Sequence, residues 1–158
     1  MTEYETKVVE FVETHGCFVV SVFDPDEDEP PFSYSVGFTK SLGEPEVVFC
    51  GLHGSSAHPL INDLFGLCQA GLHLADWTVI ENLLKDYRCI ARTVDESWII
   101  QSTFASALWY HRTQMGSTLK DVVQIVWPDE YGHFPWEASC VDWLRSDQPA
   151  LYEPRLAA

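Results

Sequence analysis

The chain has 158 residues, 46% of them hydrophobic and 13% aromatic, which is enough to build the core of a single domain over residues 1–158. Its formal charge of −15, from 24 acidic and nine basic residues, excludes nucleic acid and anionic membranes as partners, because both require clustered Lys and Arg. The acidic N-terminal residues do not resemble a secretory signal and the five cysteines are widely spaced, so we expect a cytoplasmic protein without a disulfide framework.

The first half of the chain predicts one helix followed by three strands. Apolar residues recur at near-helical spacing before Gly16, and β-branched and aromatic residues then alternate with polar ones. The predicted elements are a helix at residues 2–14, strands at 17–23 and 32–38, a turn at 40–45 and a strand at 46–50.

The second half predicts two further helices and two strands. Ser55 and Ser56 are candidate N-caps for a helix that ends at Gly71, while residues 72–84 have no clear periodicity. The remaining predicted elements are a strand at 87–94, a helix at 97–113, a strand at 121–127 and a mixed tail at 142–151 that wraps the body.

Helices and antiparallel strands therefore share one core, with no βαβ rhythm and no internal repeat. We predict an α+β fold in which a mostly antiparallel sheet or split barrel carries about three covering helices.

The acidic residues are concentrated at the N-terminal end. Residues 1–31 hold nine acids and one Lys, a charge of −8, which leaves −7 for the other 127 residues. Much of this charge lies in the connector at residues 24–31, which lacks the glycine and closing Glu of a calcium loop. We interpret it as a solvated connector.

Few residues suggest catalysis. Cys50 and His53 are the nearest thiol and base, but an ordinary buried cysteine explains the pattern better. The six histidines have no metal-ligand spacing, and the loop at residues 51–56 resembles a helix cap more than a phosphate cradle. We predict no catalytic residue and no metal site.

The most informative segment is residues 124–136, where an apolar strand must stop at Pro128 and large aromatic residues follow an acidic turn. Such rings either close the end of a sheet, with Gln124 and Asp129 holding the turn, or line a ligand pocket. Both interpretations stay open. The candidate ligand-binding residues are Tyr34, Ser35, Gly37, His53, Gln124, Trp127, Asp129 and Trp136.

Several motifs together resemble a bacterial family known only as a domain of unknown function. They are Phe32-Ser-Tyr-Ser-Val-Gly-Phe38, Gly43-Glu-Pro-Glu46, Gln124-Ile-Val-Trp-Pro-Asp129 with Gly132 and Phe134-Pro-Trp136, and Gln148-Pro-Ala-Leu151. The order and spacing match over nearly the whole chain, although Cys17, Ser35 and Glu44 replace the usual Trp, Thr and His. The resemblance implies a bacterial origin and carries no activity.

The layout of the strands and of the helix that follows them is also similar to split-barrel flavin-binding folds. That resemblance implies a flavin held at the edge of a homodimer, with basic groups on its phosphate. The nearby cations by sequence are Lys40, Arg88 and Arg92, a small set for that role. Fold similarity alone does not establish a cofactor.

Two hypotheses from different classes follow. In the first, the chain binds a small molecule or cofactor in an aromatic cleft. In the second, it is an acidic interaction module without catalytic activity, such as an immunity or regulatory protein, that uses its charge to attract a basic protein partner.

Overall fold

The computed structural model describes residues 1–156, and its central element is a six-stranded sheet of order β1-β2-β3-β6-β5-β4. In chain order the elements are α1 (Glu3–His15), β1 (Phe18–Val22), β2 (Phe32–Val36), α2 (Phe38–Leu42), β3 (Glu46–Cys50), α3 (Gly54–Gln69), β4 (Val79–Leu84), β5 (Tyr87–Thr93), a 3-10 turn (Glu96–Trp98), α4 (Gln101–Gln114), β6 (Val122–Val126) and α5 (Asp142–Asp147).

Helix α1 begins with a complete capping box. The Thr2 hydroxyl accepts a hydrogen bond from Glu5 N, and the Glu5 carboxylate accepts one from Thr2 N. The helix ends at Gly16, which has a φ of 93° and donates its N–H to Val12 O. Both ends are therefore encoded locally, and the predicted first helix is confirmed.

The sheet consists of two antiparallel halves joined by one parallel contact. Tyr34 in β2 pairs with Val20 in β1 and Val48 in β3, and all three strands alternate in direction. β6 runs parallel to β3, pairing Gln124 with Val48, and antiparallel to β5. The pattern of apolar residues predicted five of the six strands, while β4 lies in the stretch at residues 72–84 that had no clear periodicity. It did not predict the parallel pair, because strand periodicity is the same in both directions.

The predicted fold class is confirmed. The sheet is mostly antiparallel and open, with β1 and β4 at its two edges, and α1, α3 and α4 are the helices of seven residues or more within residues 1–156.

Each face of the sheet has its own core. Helix α3 packs Ile61 and Leu64 on the face that carries Val47 and Phe49. Helices α1 and α4 cover the opposite face, on which Val36, Val48 and Tyr34 lie. β3 and β6 are buried at every residue, which explains why each has only one polar residue, Glu46 and Gln124 respectively.

Three predicted boundaries differ from the structure. The second strand stops at Val36 because Gly37 adopts a φ of 116°, and α2 occupies much of the predicted turn. Helix α3 begins at Gly54 with His53 as its N-cap, so Ser55 and Ser56 lie in its first turn. The helix predicted at residues 97–113 is divided, because Ile100 has extended backbone angles.

The described part of the chain contains no helix with the length and apolar character needed to cross a membrane.

Candidate functional site

A cleft opens at the end of the sheet where β2 begins and β3 ends. Its volume is about 830 Å³, within the range of small-molecule pockets. Residues 29–32 and Cys50 form one side, the first turn of α4 with Trp98 forms another, and the C-terminal segment closes the third. The C-terminal residues on the cleft are Pro149, Ala150, Leu151, Glu153, Pro154, Arg155 and Leu156.

The walls of this cleft combine rigid apolar surfaces with a few polar groups. Phe32, Trp98 and Leu151 provide apolar area, and the prolines in the connector and the C-terminal segment restrict backbone motion. The indole of Trp98 donates to Glu153 O at 2.7 Å, and the Arg155 guanidinium lies 6.0 Å from its ring centroid. The cleft therefore offers contacts to an apolar body and to a polar group at its rim.

The buried amide of Gln124 holds the C-terminal wall in place. Its Nε2 donates to Pro149 O at 2.8 Å, and its Oε1 accepts from Leu151 N at 2.8 Å. These two bonds satisfy backbone groups of a segment that has no strand partner of its own. Gln124 thus fixes the position of two residues on the cleft wall without lining the cleft itself.

Trp127 and Tyr34 act on the other walls in the same way. The Trp127 indole donates to Cys50 O at 2.9 Å, at the end of β3. The Tyr34 hydroxyl accepts from Ser106 N at 3.1 Å in α4, and its ring stacks on Phe32 with a centroid distance of 6.4 Å. Both predicted residues therefore support the cleft from behind.

A second cleft, of about 650 Å³, adjoins the first and shares residues 29–31 with it. His53 lines this second cleft and is exposed. Carboxylates dominate the lining, which includes Asp24, Glu27, Asp28, Glu29 and Asp147. The electrostatic potential in this space favours cations.

Ser35 and Gly37 lie at the opposite end of β2, around the buried carboxylate of Glu46. The Ser35 hydroxyl donates to Glu46 Oε1 at 2.8 Å, and Phe38 N donates to the same oxygen at 3.0 Å. Gly37 N at 3.2 Å and His111 Nε2 at 2.8 Å donate to Oε2. Four donors thus satisfy one carboxylate, which joins β2, α2, β3 and α4.

Asp129 organises the turn after β6. One of its oxygens accepts from Tyr131 N and His133 N, each at 2.9 Å, and the other accepts from Val141 N at 3.1 Å. Burial opposes ionisation, but these backbone hydrogen bonds outweigh it and lower the pKa of Asp129. The carboxylate is therefore a structural acceptor, and it holds the turn as expected from the sequence.

Trp136 belongs to a cluster that we call the aromatic corner, formed by Trp77, Trp136, Tyr152 and Arg92. The Arg92 guanidinium lies 3.7 Å from the Trp77 ring centroid, 4.5 Å from that of Tyr152 and 5.3 Å from that of Trp136. Arg92 Nε also donates to Asp76 Oδ1 at 3.0 Å. This corner packs one cation among three rings on the β4–β5 side of the molecule.

The chemistry of the cysteines argues against nucleophilic catalysis. All five are free thiols and buried, and burial raises the pKa of the Cys50 thiol to about 12. A thiol with this pKa is protonated at neutral pH and is a weak nucleophile. In the part of the chain that the structure describes, no three His, Cys, Asp or Glu side chains converge in a way that could hold a metal ion.

The structure thus distributes the eight predicted site residues over several places. Gln124, Trp127 and Tyr34 support the first cleft, His53 lines the second, and the other four lie in the Glu46 network, the Asp129 turn and the aromatic corner. Sequence inspection missed Trp98 and Arg155 as cleft residues, because Trp98 lies in the 3-10 turn after β5 and Arg155 in the C-terminal segment, and only the fold brings both to the end of β3. Sequence inspection also missed His111. The available signal was Glu46, because a carboxylate at the start of an otherwise apolar strand becomes buried and requires a hydrogen-bond partner.

Comparison with known proteins found no match among the curated proteins and none among the solved structures. The family model described as "Domain of unknown function (DUF4262)" matches residues 11–141. The match confirms the resemblance to a family of unknown function, and the chain belongs to the DUF4262 family.

Proposed function

We propose that this chain is a binding domain for a small molecule and that the ligand occupies the 830 Å³ cleft between β3 and the C-terminal segment. The observation that carries the proposal is the construction of the cleft. Buried polar side chains hold two of its walls from behind, as Gln124 holds Pro149 and Leu151. A preformed cleft of this kind binds without a large ordering cost.

The lining indicates the ligand chemistry. Phe32, Trp98 and Leu151 suit a flat or apolar body, and the hydroxyls of Ser102 and Thr103 with the Arg155 guanidinium suit one polar or anionic group at the rim. We assign binding and no reaction, because the Cys50 thiol on the cleft is held protonated by burial.

A filled cleft tests the proposal. Ala150 lines the cleft and is partly exposed, so Ala150→Trp should occupy the ligand volume without disturbing the core. Ala70→Trp is the matched control, because Ala70 is exposed at the end of α3 and does not line the cleft. A fragment library of flat aromatic acids and amides would be screened against the wild type by ligand-observed NMR and by thermal shift.

We expect hits that raise the Tm of the wild type and of Ala70→Trp but not of Ala150→Trp. A second readout is tryptophan fluorescence, in which a ligand stacked on the Trp98 indole would quench the share that comes from this one of the six Trp residues. Hits that bind Ala150→Trp as tightly as the wild type, or a library without hits, would contradict a ligand site in this cleft.

The adjoining acidic cleft favours a second candidate function, the capture of a basic protein partner. Five carboxylates and His53 line it, and the connector that carries most of them is exposed. Binding of this kind weakens steeply as salt screens the charges, whereas binding in the apolar cleft does not. A salt titration of any complex therefore separates the two functions.

We also propose that the domain works in the bacterial cytoplasm. Five buried free thiols support this, because reducing compartments preserve such cysteines. Expression as a fusion exported to an oxidising compartment should yield mixed disulfides, and the cytoplasmic form should titrate as five thiols after unfolding.

A further inference from the structure

The aromatic corner exposes large rings that the cleft does not use. Trp77 is 52% exposed and Trp136 is 36% exposed, and their rings meet edge to face at a centroid distance of 5.1 Å. Rigid Trp, Tyr and Arg side chains grouped at a surface are the residue types that dominate the energetics of protein interfaces. The corner therefore has the composition of an interaction site.

Trp77 is held in this position by a backbone conformation that a large residue rarely adopts. Its φ is 71°, in the left-handed region. Trp77 N donates to Ala91 O at 2.7 Å and Ala91 N donates to Thr78 O at 2.9 Å, so β5 maintains the strained turn. A backbone outlier that leaves half of an indole ring exposed indicates a role for the ring beyond stability.

The hairpin that carries Trp77 and Arg92 differs in charge from the rest of the chain. Residues 76–93, which include β4 and β5, contain three acids (Asp76, Glu81, Asp86) and three cations (Lys85, Arg88, Arg92), a net charge of zero. The whole charge of −15 therefore lies outside this hairpin. Two copies of the chain repel each other over most of their surface, and this neutral hairpin is where they can approach.

The exposed surface continues along the edge of the sheet. β4 is the outermost strand on this side, and its Val79 is 46% exposed. Val79 pairs with Ile90, which lies two positions before Arg92 and therefore on the same face of the sheet. Val79 thus extends the apolar surface of the corner along an uncovered edge strand.

We propose that this surface binds a second copy of the same chain, in a two-fold dimer through β4 and the aromatic corner. A two-fold interface pairs each patch with its own copy, so a neutral, apolar patch on an acidic protein meets an equally neutral one. A basic partner is the weaker alternative here, because the hairpin at residues 76–93 has no net charge to attract it. The inference does not depend on a ligand in the cleft.

Sedimentation velocity of the full chain tests the proposal over protein concentrations from about 1 μM to about 100 μM. We expect a concentration-dependent dimer that becomes tighter as salt rises from about 0.02 M to about 0.5 M, because salt screens the repulsion between the acidic surfaces. A complex with a basic contaminant would show the opposite dependence.

Two variants localise the interface. Trp77→Gly removes the ring and also the backbone strain, so the fold is retained, and Val79→Lys places like charges together while it lowers the overall negative charge. Each should weaken dimerisation roughly tenfold or more. The matched control is Phe23→Ala, which removes a 72% exposed ring beyond the opposite edge strand, β1, and should leave the dimer unchanged.

A wild type that stays monomeric throughout these concentrations and salts would overturn the proposal. So would a dimer that survives both Trp77→Gly and Val79→Lys. Circular dichroism melts of each variant show that a lost dimer reflects the interface and not an unfolded chain.

Discussion

His111 Nε2 lies 2.8 Å from Glu46 Oε2, and both side chains are almost completely buried. The bond joins α4 to the first residue of β3 across 65 positions of sequence. Ser35 and the backbone of Gly37 and Phe38 complete the coordination of the carboxylate. The buried carboxyl group is thus met by four hydrogen bonds, which is the condition under which a protein core tolerates such a group.

Removing the histidine should destabilise the fold. His111→Leu leaves the Glu46 carboxylate short of one donor, and we expect the free energy of unfolding in urea to fall by about 1–3 kcal/mol, the usual cost of an unsatisfied buried polar group. His73→Leu is the matched control, because His73 also bonds a glutamate, Glu44, but is itself exposed. That change should cost less than about 1 kcal/mol. Equal losses of unfolding free energy in the two variants would show that burial of the histidine does not determine the cost.

Asp129 predicts a pH dependence of stability. Its pKa is lowered in the folded state, so its contribution is fully present above the unfolded pKa of about 3.9 and is lost as the pH falls through the lower folded value. Asp129→Asn should therefore lower the Tm at pH 7, and the difference from the wild type should narrow below about pH 4. Asp28→Asn, an equal charge change in the exposed connector, should have little effect at either pH. A constant Asp129→Asn difference at all pH values would contradict this account.

Gly37 and Gly43 separate backbone strain from close packing. Both have positive φ, but a Cβ on Gly37 would lie 2.6 Å from Gly16 O, whereas one on Gly43 would meet nothing within 4 Å. Gly43→Ala should cost about 1–2 kcal/mol for the left-handed conformation alone. Gly37→Ala should cost about 2–5 kcal/mol, since overpacking adds about 1–3 kcal/mol. Chemical denaturation measures both, and similar values would mean that Gly16 moves aside.

The two buried glutamines predict local effects that hydrogen exchange can resolve. Gln124→Met removes the acceptor of Leu151 N, and each unpaired buried group costs about 1–3 kcal/mol. Exchange at the Leu151 amide should therefore accelerate about tenfold or more. Gln148→Met removes the acceptor of Trp127 N and should accelerate exchange at the Trp127 amide instead. Each variant is the control for the other. Faster exchange at both amides in either variant would indicate global unfolding.

The candidate site was only partly predictable. Gln124, Trp127 and Tyr34 were identified from the character of residues 32–38 and 124–136, and the structure places each of them behind a wall of the cleft. Trp98 and Arg155 belong to unremarkable local sequence, so no pattern could assign them to the same cleft. Their use as ligand-binding residues, like that of the eight predicted ones, stays a prediction until a ligand is found.

The amino-acid sequence by itself determined the local elements and the family. Capping residues, apolar periodicity and glycines act over a few residues, which is why α1, β3 and β5 were predicted closely and why residues 11–141 match one family model. The acidic charge and the buried character of the cysteines are likewise properties of composition and local pattern.

Only the tertiary structure decided which distant residues meet. The parallel contact between β3 and β6, the bond from His111 to Glu46 and the return of residues 149–156 to the end of β3 all join segments far apart in the chain. Such contacts depend on the simultaneous burial of both faces of the sheet and on the pairing of every buried polar group. No local pattern encodes these long-range contacts. The cleft and the aromatic corner exist only because the contacts bring distant segments together.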